Sequence, residues 1–332
     1  MKTDQPREQR GQIIVLFALA LVAIVAMVGL ILDGGSAFAQ RRSQQNASDL
    51  AALGAANDLI VNQGSANWLA TAKSVAAQNG YTDGVGGVTV QVTCKNCPGQ
   101  TLDSSYDGVQ VTVHISAPHP NTFASIVGMT SWDVGATATS KTGWPDTSTG
   151  PGPFIVSQDV FDSTGTARTC ADADHVCTLT HPVGDTPTVA TDFTWTDFSY
   201  DKLCVDTGNV DDQDLKDYMA DRATFSLTLT FGCYIAQHND GVMNDTVNRL
   251  EALVPITFPI PVVDANGDFT GWASFHLTGV DPGGRNGELT GWFETTCVDN
   301  HCAAFQNQQL DVKSPGFGTP TFNGTYVLKL VN

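Results

Sequence analysis

Residues 13–32 read IIVLFALALVAIVAMVGLIL, and this stretch decides how the chain is organised. At a rise of about 1.5 Å per residue, a helix of this length crosses a hydrocarbon core of about 30 Å. A secretory signal peptide would have a shorter apolar core and then a small-residue cleavage site, for which Ser36-Ala37-Phe38-Ala39 is the nearest match. The apolar run is too long for that reading. We therefore predict a retained transmembrane helix over residues 13–32, after a short cytoplasmic tail of residues 1–12.

Basic residues and cysteines indicate the orientation of this span. Lys2, Arg7 and Arg10 precede it while Arg41 and Arg42 follow it, so the positive-inside rule favours a cytoplasmic N-terminus only slightly. All eight cysteines follow the span, and an even number beside an export signal is typical of disulfides formed in an oxidising compartment. The sequence thus predicts a single-pass protein of the cell membrane whose C-terminal part is extracytoplasmic.

The cysteines fall into pairs, and local pairing is the simplest prediction. The disulfide candidates are Cys94 with Cys97, Cys170 with Cys177, Cys204 with Cys233, and Cys297 with Cys302. Eight cysteines allow many other pairings, so the sequence alone leaves the connectivity open. A zinc site at Cys94 and Cys97 is the alternative, but no second pair of ligands with matching spacing follows. We favour disulfides.

Composition excludes one class of partner. The chain carries 16 basic and 34 acidic residues, a formal net charge of −18, so its average surface repels nucleic acid. Its hydrophobic content of 42% supplies enough apolar surface for packed cores beyond the membrane helix. The sequence therefore predicts folded extracytoplasmic domains that do not bind nucleic acid.

Helical patterns follow the span and then give way to strands. Residues 33–60 lack proline and repeat apolar residues at helical intervals, with Gly34-Gly35 as a looser join, and a second helix is predicted over residues 66–78. Residues 108–115 alternate like a strand with one buried face. Residues 144–153 are rich in glycine, proline and hydroxyl side chains and are predicted to be a linker.

The remainder, residues 154–332, is predicted to be a β-rich, sandwich-like domain because short apolar runs alternate with turn signals. The predicted strands are Phe154 to Val156, Ala223 to Tyr234, Val254 to Val263, Gly271 to Leu277, Leu289 to Thr296 and Tyr326 to Val331. One helix is predicted within residues 211–221. The fold class is therefore α+β.

The N-terminal residues resemble a known family. Arg10-Gly11-Gln12 leads into the apolar run, Asp33 closes it, and residues 41–53 read RRSQQNASDLAAL. This combination resembles the N-terminal module of the TadE/TadG-like proteins of the tight-adherence (Flp) pilus-assembly system. The likeness extends to about Lys141. It implies a pilin-like module over residues 33–143, in which a helical stem continues the membrane helix and meets a small sheet.

The resemblance also implies a function and partners. It predicts an extracytoplasmic component of a pilus-assembly or secretion system, with membrane lipid around residues 13–32 and other pilus-assembly proteins as partners. Gly11 occupies a position like the one that prepilin peptidases recognise. Leu16 stands where substrates of that peptidase usually carry glutamate, so cleavage after Gly11 stays open.

Two acidic segments are candidates for binding Ca²⁺, the one cofactor that the composition suggests. The first contains Asp211, Asp212 and Asp214, for which we favour a solvated acidic face. The second contains Asp264, Asn266 and Asp268, for which we favour an Asn-Gly hairpin turn, because the glycine and glutamate of a calcium loop are absent.

Catalytic motifs are missing from the sequence. The seven histidines lie outside the patterns of zinc proteases, hydrolase elbows and phosphate-binding loops. We therefore predict a non-enzymatic protein. The alternatives are an anchored adhesin or ligand-binding β-domain, which would use Trp195, Trp272 and Trp292 at its surface, and an anchored hydrolase. For the tryptophans, we favour a place in the core.

Overall fold

A computed structural model gives the fold. It describes residues 9–62, 66–101, 103, 108–145, 147–161, 176–180, 192–198, 204, 211–229, 232–235, 243–281, 288–294, 296–298, 310–311 and 325–331. Two compact units emerge: one contains residues 1–52, 69–92 and 112–138, and the other contains residues 53–68, 93–111 and 139–332. A long apolar helix followed by several sheets confirms the predicted α+β class.

The first unit is built on a long helix, α1 (Gln9–Asn62), which runs on into the second unit. The helix is continuous through Gly34 and Gly35, so the predicted looser join does not interrupt it. Within the described residues, α1 is the one helix long and apolar enough to cross a membrane. Its apolar side chains are exposed from Ile13 to Leu32, and beyond that point it buries small residues such as Ala47 and Ala51.

A second helix and three strands accompany α1. Helix α2 (Trp68–Gln78) matches the predicted second helix. The strands are β1 (Thr89–Lys95), β2 (Val109–Pro120) and β3 (Ser131–Pro145), and they are consecutive neighbours in one sheet. Alternate residues of β2 are buried, as the alternating sequence predicts.

The second unit has a six-stranded sheet in the order β6-β11-β10-β9-β5-β7 and a two-stranded one, β4-β8. These strands are β4 (Thr147–Thr149), β5 (Phe154–Ser157), β6 (Cys177–Thr180), β7 (Phe193–Trp195), β8 (Ser226–Thr228), β9 (Ile256–Val263), β10 (Phe269–Asp281) and β11 (Glu288–Glu294). Phe154 lies at the centre of its core, edge-on to four other aromatic rings.

Three further strands and two helices complete the second unit. The strands are β12 (Thr296–Val298), β13 (Leu310–Asp311) and β14 (Tyr326–Val331). Strand β14 pairs antiparallel with residues 139–143 of β3 and parallel with β12, and β13 pairs with residues 144–145 of β3. The helices are α3 (Asp212–Asp221), as predicted, and α4 (Asn244–Glu251), which the sequence analysis missed.

The linker predicted at residues 144–153 has a different structure. Trp144 ends β3 in a buried position, and residues 147–149 form β4. The hydroxyl of Tyr218 donates to the carbonyl oxygen of Pro151 at 2.8 Å, and the guanidinium of Arg222 donates to that of Gly150. Because Tyr218 and Arg222 satisfy these two backbone carbonyl groups, the glycine- and proline-rich segment is part of the domain.

The strand predicted from Ala223 to Tyr234 is also wrong over most of its length. A 3₁₀ helix covers Arg222–Thr224, β8 covers only Ser226–Thr228, and Tyr234 forms a single bridge to Asp268. The apolar run is buried because its side chains fill the core, with Leu227 and Leu229 among them. Among the described residues of this run, only Ser226–Thr228 pairs with another strand, so an apolar run between turn signals overstated the length of this strand.

Candidate functional site

Asp33 binds the loop that joins β2 to β3. Its carboxylate, one residue beyond the apolar run, accepts hydrogen bonds from the backbone N–H groups of Thr122, Phe123 and Ala124 at 2.9, 2.9 and 2.7 Å. Residues 121–130 are called the β2–β3 loop below. The three donors precede and begin a 3₁₀ helix (Ala124–Val127), whose free N–H groups favour a carboxylate.

These hydrogen bonds set the ionisation of Asp33. The N–H group of Ala124 is the main cause that lowers the pKa of Asp33 below its ordinary value of 3.8, and those of Thr122 and Phe123 act in the same direction. Partial burial opposes the shift. Asp33 is therefore ionised at neutral pH, and as an anion it is the stronger acceptor for all three donors.

Gly29 lets the same loop approach the apolar part of α1. A Cβ atom at Gly29 would lie 2.6 Å from the Cβ of Phe123 and 2.8 Å from its Cγ. Any larger residue at this position would displace Phe123 or the helix. Gly29 and Asp33, one helical turn apart, therefore fix the β2–β3 loop to the end of the apolar run.

His119 makes the next connection along α1. Its Nδ1 lies 2.7 Å from Oε1 of Gln40, and its Nε2 lies 2.9 Å from Oγ of Ser36. Because an amide oxygen can only accept, Nδ1 carries the proton and donates to Gln40. Nε2 then faces the hydroxyl of Ser36. Gln40 also donates to the carbonyl oxygen of Ala117 at 3.3 Å, so β2 is tied to the helix at two residues.

Further along, α1 binds the backbone of β3. Nε2 of Gln44 donates to the carbonyl oxygen of Val134 at 2.9 Å, and the hydroxyl of Ser48 donates to that of Ala136 at 3.4 Å. Gln45 adds a 3.2 Å hydrogen bond to Thr137. Gln44 and Ser48 are both fully buried.

Five of these side chains recur every three or four residues and so lie on one face of α1. We call them the polar stripe: Asp33, Ser36, Gln40, Gln44 and Ser48. The stripe makes the segment of α1 that follows the apolar run a fixed attachment for β2 and β3. Sequence reasoning gave no role to these residues or to His119, although their spacing was a readable signal.

An ion pair fastens the segment between α2 and β1. Lys73 Nζ lies 2.8 Å from Asp83 Oδ2, and the N–H of Val90 donates to Asp83 Oδ1 at 2.9 Å. The hydrogen bond from Lys73 is the main cause that lowers the pKa of Asp83 below 3.8, with that from Val90 second. Both groups are partly exposed, so the pair orders this loop more than it stabilises the fold.

Two of the predicted cysteine pairs form disulfides in the described residues. Cys94 bonds to Cys97 and Cys204 to Cys233, with Cα–Cα distances of 5.9 and 4.9 Å. Cys177 is also disulfide-bonded. Its predicted partner, Cys170, lies outside the described residues. Of the fourth pair, the backbone of Cys297 lies in β12, and Cys302 lies outside the described residues.

The first group of calcium candidates caps two helices. Asp211 is the N-cap of α3 and accepts from the N–H groups of Gln213 and Asp214, while Asp214 accepts from Asp211. Asp212 reaches the start of α4 and accepts from the N–H groups of residues 245 and 246. Their oxygens are thus used by backbone donors.

The second group forms the turn between β9 and β10. Asp264 accepts from the N–H groups of Asn266 and Asp268 at 2.8 and 3.0 Å, and Gly267 adopts a φ of 85°. This is the turn that the sequence analysis favoured. In the part of the chain that the structure describes, no group of three or more His, Cys, Asp or Glu residues could hold a metal ion.

Two of the tryptophans suggested as binding residues lie in the core. Trp195 and Trp272 are 1% and 0% exposed. Trp292 is partly exposed and stacks on His276, with ring centroids 4.1 Å apart. An adhesive surface made of all three tryptophans is therefore wrong, because β7 and β10 turn two of them inward.

The comparisons with known proteins bear on the N-terminal part. Residues 11–58 match the family model Tad, described as putative Flp pilus-assembly TadE/G-like. No individual curated protein and no solved structure matches the chain. The matched segment begins at Gly11, within the first turn of α1, and includes the apolar run of residues 13–32 and the whole polar stripe. The resemblance seen in the sequence is thereby confirmed for residues 11–58, which are similar to the TadE/G-like family.

Proposed function

We propose that this protein is a membrane-anchored, extracytoplasmic component of a Flp or tight-adherence type pilus-assembly or secretion system, with a structural and interaction role. The family match over residues 11–58 carries the proposal. Lipid surrounds residues 13–32, and the chain that follows them lies outside the cytoplasm.

The polar stripe supports a structural role. Its residues form hydrogen bonds with the β2–β3 loop and with strands β2 and β3. A helix fixed in this way presents the sheet at a set height above the membrane, which is what an assembly component needs in order to meet its partners in register.

The described histidines support a non-catalytic role. His114 and His276 lie 2.8 Å from the hydroxyls of Thr137 and Thr257, and His119 binds Ser36 and Gln40. Each contact holds one structural element against another. The disulfides agree with a location in an oxidising compartment.

Site-specific photo-crosslinking of the full chain, in cells that assemble the pilus, tests the proposal. A crosslinker at Leu50, 49% exposed within the family-matched segment, should capture pilus-assembly proteins. Leu69, 42% exposed on α2 and outside that segment, is the matched control. Failure of Leu50 to capture any such protein, with the chain present in the membrane fraction, would contradict the proposed role.

Topology has a separate test. A protease added to spheroplasts should digest the region after α1 and leave the N-terminal tail protected. Protection of the C-terminal part until the membrane is permeabilised would place it in the cytoplasm and refute the orientation.

A further inference from the structure

The β2–β3 loop lies beside the apolar part of α1 and forms an open groove with it. The groove has a volume of about 510 Å³ and an almost wholly apolar lining. Leu21, Val25 and Leu30 line it from the helix, and Phe123, Ile126 and Met129 line it from the loop. The loop therefore runs alongside residues that the proposed function places inside the membrane.

The spacing along α1 gives the depth of this groove. At about 1.5 Å per residue, Leu30 lies about 5 Å and Leu21 about 18 Å before Asp33 along the helix axis. One leaflet contributes about half of a hydrocarbon core that is about 30 Å thick. The groove thus runs along the part of α1 that the proposed function places in the leaflet from which the helix emerges at Asp33, and the loop meets α1 at Gly29 and Asp33, at the outer end of that depth.

The composition of the loop fits that depth. Residues 120–132 contain no charged or titratable side chain, and the nearest titratable ones are His119 and Asp133. Ile126 is 81% exposed and Met129 is 54% exposed at the tip. An apolar tip that is bare in water would be unfavourable, whereas in hydrocarbon the same exposure has no such cost.

The backbone of the loop is also prepared for hydrocarbon, where an unpaired N–H group costs several kcal/mol. Asp33 accepts from residues 122–124. Within the loop, the N–H groups of residues 121, 126, 128 and 129 donate to loop carbonyl oxygens. The side-chain amide of Asn121 donates to the backbone carbonyl oxygen of Met129. The N–H groups of residues 121–124, 126, 128 and 129 therefore all have partners.

We propose that the β2–β3 loop is inserted into the leaflet from which α1 emerges, and that acyl chains of that leaflet fill the groove between the loop and α1. The inference rests on the proposed membrane anchoring and adds a second lipid contact to it. The bare apolar surface of α1 continues without interruption into the groove lining, so lipid that surrounds the helix also reaches the groove. Trp132, at the start of β3, contributes to the lining, and tryptophan is enriched at membrane interfaces.

Nitroxide labels on single introduced cysteines test this in the full chain, reconstituted into vesicles of phosphatidylethanolamine and phosphatidylglycerol. The test positions are 126 and 129, as Ile126→Cys and Met129→Cys. Because both side chains are exposed, a label there disturbs no packing. Leu19→Cys reports on the span, and Leu50→Cys, about 25 Å beyond Asp33 on the same helix, reports on water. The unsubstituted chain gives the labelling background of the native cysteines.

The measured quantity is the ratio of collisions with oxygen, which concentrates in hydrocarbon, to collisions with a water-soluble nickel chelate. We expect the ratio at positions 126 and 129 to exceed that at position 50 several-fold and to approach that at position 19. A ratio at 126 like that at 50, with position 19 still lipid-exposed, would overturn the loop insertion alone. Water-like ratios at both 126 and 19 would overturn the membrane anchoring itself. Immobilised labels at 126 and 129 that neither reagent reaches would show that a protein covers the loop, which would overturn the assignment to lipid.

Discussion

Replacing Gln44 with alanine tests how firmly the polar stripe holds β3 to α1. Gln44 is fully buried, and its Nε2 donates to the carbonyl oxygen of Val134 at 2.9 Å. Losing one such hydrogen bond costs about 1 kcal/mol. The buried methylene that is removed contributes about 0.8 kcal/mol more, and the unfilled volume adds to this. We expect Gln44→Ala to lower the free energy of local opening of this region by about 2–3 kcal/mol.

A second substitution separates the hydrogen bond from the packing. Oε1 of Gln44 is buried without a hydrogen-bond partner among the described residues. Both substitutions lose the bond to Val134 and remove that unsatisfied oxygen, but Gln44→Met keeps most of the volume and so avoids the packing loss of Gln44→Ala. The cost of Gln44→Met should therefore be about 1 kcal/mol or less, since removing a buried, unpaired polar atom offsets the lost bond.

Hydrogen exchange of the full chain in detergent micelles measures the effect. A loss of about 2–3 kcal/mol raises the exchange rate of protected amides in residues 131–138 about 30- to 150-fold. Ser43→Ala, at an exposed position on the same helical turn, is the control and should change stability by less than about 0.5 kcal/mol. If Gln44→Ala behaved like Ser43→Ala, the stripe would not be what attaches β3, and the reasoning would be refuted.

Three further outcomes follow from the same contacts. Asp33→Asn removes the charge and half of the acceptors, so it should speed amide hydrogen exchange at residues 122–124 and leave exchange in α2 unchanged. Equal protection of residues 122–124 in the variant and the unsubstituted protein would argue against the contact with Asp33. Because the pKa of Asp83 is lowered, its stabilising effect is complete above its ordinary value of 3.8 and is lost as the pH falls through the folded value. Thermal unfolding should therefore show a penalty for Asp83→Asn near neutral pH that disappears as the pH falls below the lowered pKa of Asp83. A penalty that persists in strong acid would contradict this. Replacing Cys204 and Cys233 with serine opens a loop with a sequence separation of 29 residues. Denaturant titration should then show a free energy of unfolding that is lower by about 3–4 kcal/mol, because the unfolded chain gains conformational entropy. An unchanged free energy of unfolding would contradict this.

The elements that the sequence predicted well are those whose signals are local. The span over residues 13–32 follows from an unbroken apolar run, and α3 follows from Asp211 and Asp214, which cap it within four residues. Strands β9 and β10 were bounded by the Asp264 turn. In each case, the residues that specify the element lie inside it or beside it.

The elements that were missed depend on partners far along the chain. Helix α4 has no side-chain cap of its own, because Asp212, some thirty residues earlier, accepts from its first N–H groups. The segment at residues 144–153 reads as a linker until Tyr218 and Arg222 satisfy its carbonyl groups. A composition window contains none of these contacts, so neither feature could be read from local pattern.

The polar stripe explains why the family-matched segment combines an apolar helix with polar residues in a fixed register. A uniformly apolar helix could slide or rotate in lipid with little change in free energy, because every face is equivalent there. Asp33 ends that freedom, since its carboxylate must meet three N–H groups of one loop, and Gly29 admits Phe123 of that same loop one turn earlier. Shifting Asp33 by one residue would rotate it by about 100° around the helix and break both contacts. The position of this one carboxylate therefore determines how the β2–β3 loop, and with it β2 and β3, stands relative to the apolar run of α1.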